Sequence, residues 1–256
     1  MNILQTIILG LVEGLTEFLP ISSTGHLILA TRLLGLDSTE FIKSFEIIIQ
    51  LGAILAVVAL YWRSLFVNWA IMKRLAVAFF PTAVIGLTFY SLVKHYLLGN
   101  QAVVLWAMLL GGLALIVFEW RHREPEPSQA ELSQLSYKQA LVLGLYQTLA
   151  IIPGVSRSAA TIVGGLSLGL SRPAAVEFSF LLAAPTMVAA TGLDLFKNAS
   201  SFSVEQVDVL AVGFIVSFLV ALGSIKFLLR FIKRNSFIVF GLYRILAALA
   251  FYFLIF

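Results

Sequence analysis

The composition of this chain indicates that its solvent is lipid. Its 256 residues are 60% hydrophobic with a mean hydropathy of +1.00, and only 12% are charged, whereas about a quarter are charged in a soluble domain. The absence of cysteine excludes disulfides, thiolate metal sites and cysteine nucleophiles. In a soluble protein the net charge of +4 would suggest nucleic-acid binding. Here the basic residues are expected to orient membrane spans and face lipid head groups, so no nucleic-acid partner is predicted.

The chain consists of two similar halves joined by a polar linker. Each half begins with an apolar segment that is interrupted in its middle and continues with three uninterrupted apolar segments. Each continuous segment is about 18–21 residues long, which is enough for a helix to cross the hydrocarbon core. The six predicted spans are Ser44–Tyr61, Leu75–Val93, Gln101–Phe118, Ala174–Gly192, Val207–Ile225 and Ser236–Phe256. We therefore predict an all-α, polytopic membrane protein with six full spans.

The two broken segments, residues 1–30 and 139–170, do not fit the template of a membrane span. Each is interrupted in its middle by a short polar stretch that contains Pro and Gly, and each flanking arm is too short to cross a bilayer alone. Non-helical backbone survives at membrane depth only when it is buried in protein or lines a wet cavity. We predict that both segments are re-entrant helical hairpins whose tips lie deep in the membrane.

The two halves of the chain also resemble each other. Leu9–Glu13 matches Leu143–Gln147, and after a slip of one residue Pro20–Ser23 matches Pro153–Ser156. A glutamate at or near the start of the next span follows each hairpin, Glu46 in the first half and Glu177 in the second. We interpret the chain as a single membrane domain, 1–256, made of two repeats, 1–118 and 139–256, joined by a cytoplasmic linker loop at 119–138.

The lysines and arginines predict how the chain is oriented. If the loop at 62–74 is cytoplasmic, counting through the spans places eleven basic residues on the cytoplasmic side and four on the other. Cytoplasmic loops of membrane proteins carry such an excess. The first hairpin then enters from the outside and the second from the inside, because three spans separate them. This is an inverted-topology repeat, in which functional sites lie at the repeat interface near the midplane.

The first interruption carries two acids at helical spacing. Glu13 and Glu17 are four residues apart, so on a helix their carboxylates share one face. Two carboxylates so close in a low dielectric repel each other, and they must shed charge or share a cation. A hard divalent ion with oxygen ligands, Mg²⁺ or Ca²⁺, would resolve the conflict. The alternative is a protonated or snorkelling pair, but acids within a membrane are costly and usually functional.

The same interruption continues with hydroxyls and a histidine. Pro20 ends the first arm, and the next helix begins with Ser22, Ser23, Thr24 and Gly25. Helix N-termini of this kind bind anions, particularly phosphate. His26 can act as acid, base or nucleophile. Either His26 attacks directly, or Ser23 attacks with His26 as its base, or metal-bound water attacks. The sequence slightly favours His26, because the only other bases near Ser23 are the carboxylates expected to hold metal.

The second interruption, Pro153–Ser158, contains an arginine between two hydroxyls. A buried arginine needs an anionic partner, and the planar fork of Arg157 suits phosphate bidentately. The alternative is a structural ion pair with Glu13, Glu17 or Glu177. The hydroxyls of Ser156 and Ser158 on either side favour an oxyanion ligand instead.

Together the two interruptions resemble the signature motifs of a known family. Glu13–His26, which reads EGLTEFLPISSTGH, and Pro153–Ser158, which reads PGVSRS, look like those of the undecaprenyl-diphosphate phosphatases of bacteria. The resemblance covers essentially the whole chain and includes Phe45–Gly52 and Pro81–Gly86.

The resemblance implies a multi-pass enzyme of the bacterial cell (inner) membrane with its active site toward the periplasmic, outer side. Such an enzyme removes one phosphate from undecaprenyl diphosphate, regenerates the lipid carrier for peptidoglycan precursors and confers resistance to bacitracin. The resemblance also implies a divalent cation. The residues on which the family's key positions fall are Glu13, Glu17, Ser23, His26 and Arg157, with Ser22, Thr24 and Ser156 close by.

The main rival hypothesis is a transporter or flippase of a polyprenyl phosphate lipid, because inverted repeats with broken helices are common in transporters. A purely structural membrane subunit would leave the buried charges unexplained. The clustering of acids, histidine and arginine favours an enzyme that acts on a lipid diphosphate within membrane lipid. The sequence leaves the oligomeric state open between a monomer and a homodimer.

Overall fold

The computed structural model describes residues 1–37, 39–89, 92–97, 100–122, 132–198 and 207–255, which contain ten α-helices and no β-strand. Their bounds are α1 Ile3–Thr16, α2 Ser23–Leu33, α3 Glu40–Phe66, α4 Trp69–Thr88, α5 Gln101–Arg121, α6 Tyr137–Thr148, α7 Arg157–Ser167, α8 Arg172–Asn198, α9 Val207–Phe231 and α10 Ile238–Ile255. A π-helix at Val93–Leu97 and 3₁₀ turns at Leu132–Gln134 and Leu149–Ile151 complete the order. The middle of the predicted linker lies outside the described residues.

Among the described residues, five helices are long and apolar enough to cross a membrane, so the prediction of an all-α, multi-pass membrane protein is confirmed. These five are α3, α4, α5, α8 and α9, and each contains or overlaps a predicted span. The sixth predicted span corresponds to α10, which has 18 residues and is shorter than the others. Its predicted last residue, Phe256, lies outside the described residues, so the number of full spans stays a prediction.

The helices extend beyond the hydropathy windows, because charged residues at a lipid surface do not end a helix. The span predicted to end at Tyr61 continues to Phe66, although α3 kinks where Tyr61 has φ −122° and ψ 23°. The bounds predicted for the second span were wrong, since α4 begins at Trp69 and ends at Thr88. The side chain of Asn68 starts this helix by accepting hydrogen bonds from the N–H groups of residues 70 and 71.

Each predicted hairpin consists of two short helices on either side of an irregular tip. The arms α1 and α2 have 14 and 11 residues, and α6 and α7 have 12 and 11. At about 1.5 Å per residue the longest arm extends roughly 21 Å, which is less than the hydrocarbon thickness of about 30 Å. The arms therefore have the lengths that the prediction of re-entry requires.

The two hairpins share local structure at positions 134 residues apart. Asn2 and Gln5 form a capping box at the start of α1, as Ser136 and Gln139 do at the start of α6. The side chain of Gln5 then donates to the carbonyl of residue 34 at 3.2 Å, and that of Gln139 to the carbonyl of residue 168 at 3.4 Å. The same hydrogen bond therefore ties each first arm to the end of its second arm.

The spacing of 134 residues also holds at the hairpin tips. The one-residue slip that was introduced to align the two sequences there was therefore wrong. Ser22 and Ser156 are the described non-glycine residues with positive φ, at 73° and 71°, and each caps the helix that follows. Ser22 thus corresponds to Ser156, and Ser23 corresponds to Arg157. The slip came from aligning the prolines, which occupy different positions in the two tips.

The helix packing pairs the two halves reciprocally. The first hairpin arm α1 packs against α9 of the second half, and the corresponding arm α6 packs against α4 of the first half. The pairs α3 with α8 and α5 with α10 join corresponding helices to each other. This is the packing that two repeats related by a pseudo-two-fold axis would produce.

Small residues allow the closest of these approaches, as is typical of helix pairs in membranes. A Cβ atom added at Gly10 of α1 would lie 2.9 Å from the carbonyl oxygen of Gly213 in α9. A Cβ atom added at Gly144 of α6, the corresponding position, would overlap the carbonyl of Ala78 in α4. Both hairpins are therefore seated on a partner helix through a glycine.

A buried ion pair joins the ends of three long helices on the side predicted to be cytoplasmic. Arg172 at the start of α8 donates to both carboxylate oxygens of Glu119 in α5, at 2.5 and 3.0 Å. Glu119 also accepts the backbone N–H of Phe237, just before α10, at 2.9 Å. This bidentate pair therefore ties the end of α5 to the starts of α8 and α10.

We predict that Gly144→Ala lowers the stability of the folded protein by about 1–3 kcal/mol, because the added methyl group forces α6 away from α4. The matched control is Gly86→Ala in α4, where the added Cβ meets no atom within 4 Å. Thermal unfolding of both variants in detergent measures the effect as Tm. Equal Tm values for the two variants would contradict the close packing of α6 on α4.

Candidate active site

The N-termini of two hairpin helices converge on one small cavity. α2 begins at Ser23 and α7 begins at Arg157, and the first N–H groups of a helix have no partner within it. The partial positive charge of a helix N-terminus adds to this, so such an end attracts anions. Two of them directed at one cavity favour a ligand with several negative charges.

The backbone just before each of these helices is strained. Ser22 has φ 73° and ψ 92°, and Ser156 has φ 71° and ψ 108°. A non-glycine residue held in such a region costs on the order of 1–3 kcal/mol, and residues of this kind cluster at functional sites. The hydroxyls offset part of the cost, because they accept the N–H groups of Gly25 at 3.4 Å and Ala159 at 3.2 Å.

The cavity has a volume of about 120 Å³, which suits a phosphate group and is far too small for a polyprenyl chain. Most of its polar lining comes from the two hairpin tips, and Gln50 of α3 adds an amide. The described residues that line it are Glu17, Ser22, Ser23, Thr24, Gln50, Ala150, Ile152, Pro153, Gly154, Ser156, Arg157 and Met187.

A hydrogen-bonded chain of three side chains runs along the wall of this cavity. The hydroxyl of Ser23 donates to Glu17 Oε2 at 2.6 Å, and Arg157 Nη2 donates to Glu17 Oε1 at 2.9 Å. Glu17 is only 6% exposed, so its ion pair with Arg157 lies in a low dielectric. Both of its carboxylate oxygens accept a hydrogen bond. A serine hydroxyl that donates to a buried carboxylate has a base in place to take its proton.

The other face of Arg157 is fixed to α8. Its Nη1 donates to the backbone carbonyl of Ser179 at 2.8 Å and meets the hydroxyl of Ser179 at 3.4 Å. Its guanidinium lies 5.9 Å from the centre of the Phe18 ring. The Nε atom is buried without a hydrogen-bond partner, so one donor of the fork is available to a ligand oxygen.

Glu13 is the most isolated charge in this region. Its side chain is 0% exposed, neither carboxyl oxygen has a hydrogen-bond partner, and its acidic neighbours are Glu17 and Glu46. A buried carboxylate without a partner is strongly unfavourable, so a proton or a cation must accompany it. Among the described residues no group of three or more His, Asp or Glu side chains is placed to hold a metal. The two glutamates could therefore hold one only together with ligand oxygens.

The ring of His26 lies between the first hairpin tip and α10. Its Nδ1 lies 2.7 Å from the carbonyl oxygen of Ser22, and its Nε2 lies 2.8 Å from the hydroxyl of Tyr243 in α10. The two rings lie nearly in parallel planes, at 6°, with centres 5.5 Å apart. His26 is described, but it is not among the residues that line the cavity.

Arg244 of α10 joins both hairpin tips to α5. It is 0% exposed, and its donors contact five backbone carbonyls at 3.0–3.5 Å. The carbonyls belong to Pro20 in the first tip, Gly154 and Val155 in the second tip, and Ala107 and Met108 in α5. The carbonyl contacts of its fork hold the two tips next to each other.

The structure brings together most of the residues predicted from the sequence. Six of the ten line the cavity, namely Glu17, Ser22, Ser23, Thr24, Ser156 and Arg157. Glu13 lies beside Glu17 but outside the lining, and His26 faces Tyr243. The other two, predicted to bind substrate, lie outside the lining: Ser158 donates to the carbonyl of Phe18 at 2.8 Å, and Gly25 faces Met108.

Four polar residues at or beside the site were not singled out as site residues from the sequence. Gln50 lines the cavity, Ser179 holds Arg157, Tyr243 contacts His26 and Arg244 joins the tips. Arg244 had a usable signal, since a charge inside a membrane helix is itself a functional hypothesis. Tyr243 and Ser179 had none, because both lie in apolar helices where tyrosine and serine are ordinary.

Membrane-crossing helices around a buried cavity that contains a hydroxyl, a carboxylate and a guanidinium define a multi-pass membrane protein with an enzyme-like polar site. Residues 6–250 match the family model described as bacitracin resistance protein BacA. The chain belongs to this family.

Relatives extend over nearly the whole chain. An undecaprenyl-diphosphatase of Wolinella succinogenes is 51% identical over 253 residues, covering 99% of this chain and 98% of the relative. An undecaprenyl-diphosphatase of Aquifex aeolicus is 49% identical over 247 residues, covering 96% of each chain. One of a Sulfurihydrogenibium species is 50% identical, covering 98% of this chain and 99% of the relative.

We predict that Arg244→Met strongly destabilises the protein, because each buried carbonyl left without a donor costs about 1–3 kcal/mol. Arg244→Lys should recover only part of this loss, since an ammonium has three donors and cannot reproduce the planar fork. Tm and the yield of folded protein in detergent measure the effect. Arg230→Met, at an exposed position of α9, is the control. An Arg244→Met variant that melts like the wild type would show that the tips do not need this contact.

Proposed function

We propose that this protein hydrolyses undecaprenyl diphosphate to undecaprenyl phosphate and inorganic phosphate. The choice of substrate is supported by family membership and by three relatives, all undecaprenyl-diphosphatases, that are 49–51% identical to this chain. The cavity supports the chemistry, because it offers two helix N-termini and an arginine to a phosphate group and leaves the lipid tail outside. In the cell such a reaction recycles the carrier of cell-wall precursors and lowers sensitivity to bacitracin.

The observation that carries this proposal is the hydrogen bond of 2.6 Å from the hydroxyl of Ser23 to Glu17. Ser23 Oγ attacks the terminal phosphorus while its proton passes to Glu17 Oε2. The bond from that phosphorus to the bridging oxygen breaks, and undecaprenyl phosphate leaves with the bonding electrons and the proton from Glu17. Water then attacks the phosphoserine, and Glu17 transfers a proton from that water back to Ser23 Oγ.

The remaining groups of the cavity act on charge and alignment, the two things that phosphoryl transfer needs most. The fork of Arg157 pairs with Glu17 in this structure and has a spare donor, Nε. When phosphate binds, the fork is placed to share its donors between the carboxylate and the phosphate oxygens. The N–H groups at the starts of α2 and α7 bind further oxygens, and Thr24 lies at the exposed edge of the cavity.

The geometry favours Ser23 over His26 as the attacking group. Ser23 lines the cavity and already donates to a carboxylate base, whereas His26 is not among the lining residues and both of its ring nitrogens already have partners. The sequence favoured His26 slightly, because the carboxylates were assigned to metal. In the structure Glu17 is available to Ser23, which removes that reason.

We also propose that a divalent cation, Mg²⁺ or Ca²⁺, takes part in the reaction. Glu13 supports this, since its two oxygens are buried without partners beside Glu17. One or two carboxylates together with substrate phosphate oxygens are a usual ligand set for Mg²⁺. When bound, the cation would neutralise charge on the diphosphate. Glu13 would then hold it, while Glu17, whose oxygens accept from Ser23 and Arg157, serves as the base.

The proposed setting is the inner membrane of a bacterium, with the cavity toward the outer side. The excess of eleven basic residues over four on the side predicted to be cytoplasmic supports this orientation. The reciprocal packing of the hairpins supports an inverted-topology repeat, 1–118 and 139–256, around a linker at 119–138. Surrounding membrane lipid is then the medium from which the substrate's tail enters.

The same reciprocal packing favours one further candidate function, the transport of a polyprenyl phosphate lipid, since such repeats are typical of transporters. The two functions are separable by assay. Phosphate release in detergent micelles requires no movement across a bilayer, so hydrolysis there would identify an enzyme whatever else the protein does.

We predict that purified wild-type protein releases phosphate from undecaprenyl diphosphate and that Ser23→Ala loses on the order of 10³-fold or more in kcat. Ser167→Ala, at the exposed end of α7, is the matched control and should stay active. In single-turnover experiments with the terminal phosphate labelled, an acid-stable phosphoserine should form at Ser23. An acid-labile label on His26 would identify the histidine as nucleophile instead, and no covalent label at all would favour attack by water.

We predict that Arg157→Lys lowers kcat by about 10²–10³-fold, as the loss of a preorganised donor does in other enzymes. The charge is kept, but the planar fork that meets both Glu17 and phosphate is lost. Arg121→Lys, at the end of α5 and away from the cavity, is the control for the substitution itself. Near-normal turnover in Arg157→Lys would remove Arg157 from phosphate binding.

We predict that exhaustive chelation abolishes phosphate release and that added Mg²⁺ or Ca²⁺ restores it. Glu13→Gln keeps the side-chain volume but removes the charge, so it should raise the concentration of cation needed for half-maximal activity. The Tm of the variant should not fall, because no hydrogen bond of Glu13 is lost. Activity that is indifferent to chelation would assign the two glutamates to proton sharing.

A further inference from the structure

The ring of His26 is held at both of its nitrogens. A carbonyl oxygen can only accept, so the contact of 2.7 Å to Ser22 means that Nδ1 carries a proton. In the neutral ring Nε2 then carries the lone pair, and its partner at 2.8 Å is the hydroxyl of Tyr243, which donates to it. The nitrogen that could serve as nucleophile or base is therefore occupied.

The carbonyl that His26 holds belongs to the strained residue before Ser23. The same oxygen accepts the backbone N–H of His26 at 3.3 Å, so ring and backbone together fix it. This carbonyl is part of the peptide that joins Ser22 to Ser23, and the orientation of that peptide sets the direction in which Ser23 leaves the backbone. Ser22 has φ 73° and would relax if this contact were lost.

We propose that Tyr243 and His26 form a brace, a positioning pair that acts through the carbonyl of Ser22 to direct Ser23 at Glu17. Tyr243 holds the ring at Nε2, the ring holds the carbonyl through Nδ1–H, and the carbonyl holds the turn. Neither residue of the brace touches the reacting phosphate. The inference rests on the proposed function in one respect, that Ser23 is the attacking group.

Tyr243, the outer residue of the brace, belongs to α10. Tyr243 and Arg244 are neighbours in α10, and the arginine fixes the carbonyl of Pro20, two residues before Ser22. The tip of the first hairpin is therefore held to α10 on both sides of its turn. Movement of α10 relative to the tip would change the orientation of the Ser23 hydroxyl without removing any group from the cavity.

Replacement of His26 by asparagine separates a brace from a chemical role. The side-chain N–H of asparagine occupies nearly the same place as Nδ1–H and can donate to Ser22, but asparagine can neither attack phosphorus nor take a proton. We expect His26→Ala to lose on the order of 10²-fold or more in kcat and His26→Asn to regain at least tenfold of that. A His26→Asn variant as inactive as His26→Ala would overturn the brace.

Tyr243→Phe should lower kcat by about tenfold, the equivalent of one hydrogen bond, with KM and Tm unchanged, because substrate binding and packing are not affected. In the His26→Asn background the same change should have no further effect, since asparagine does not reach Tyr243. Tyr96→Phe, at an exposed position outside α10, is the control. Full activity of Tyr243→Phe would exclude the tyrosine from the brace.

Nitrogen NMR of histidine-labelled protein tests the brace without any activity. The chain has three histidines, so the His26→Asn spectrum assigns the signals. We expect His26 as the Nδ1–H form, with its Nε2 signal moved by Tyr243→Phe; an Nε2–H form would overturn the brace. Failure of the proposed function is distinct, because the wild type would then release no phosphate while these signals stayed as expected.

Discussion

Backbone that leaves a helix inside a membrane must find its hydrogen-bond partners within the protein, and Arg244 supplies them for the tips of both hairpins. Its guanidinium has five N–H donors, and the structure gives it carbonyls from the two tips and from α5. The charge itself has no carboxylate partner among these contacts. A cation surrounded by carbonyl oxygens next to the cavity also contributes a positive field where a diphosphate would bind.

Because the tips are held together, two helix N-termini that are distant in sequence meet at one cavity. Ser23 and Arg157 begin those helices, and both contact Glu17, the last residue of helical geometry before the first tip turns. The strain at Ser22 and Ser156 follows from the same requirement, since each serine must reverse the chain and cap a helix at once. The stability of the long-helix packing has to offset that cost.

The two halves share a scaffold and differ in their chemistry. Gln147 occupies the position that corresponds to Glu13, and its amide donates at 2.9 Å to the hydroxyls of Thr82 and Thr186. At the same place the first half has an unpaired carboxylate. Ser23 likewise corresponds to Arg157. The proposed reaction therefore uses one hairpin for its nucleophile and acids and the other for its arginine, which is how a duplicated fold can build one asymmetric site.

Hydropathy along the chain predicted six spans, five of which correspond to long helices of the described residues, and two broken hairpins with polar tips. These features depend on local composition and on the length of a bilayer span. Hydropathy did not predict which glutamate pairs with Arg157, which way His26 faces, or that Tyr243 and Arg244 reach the tips. Those contacts join residues 89 to 224 positions apart, and they exist only once the helices have packed on each other. The sequence alone determined the acids, hydroxyls and arginine of the two tips, whereas the tertiary structure decided their partners, because a side chain's partner depends on the helices beside it and not on its own segment.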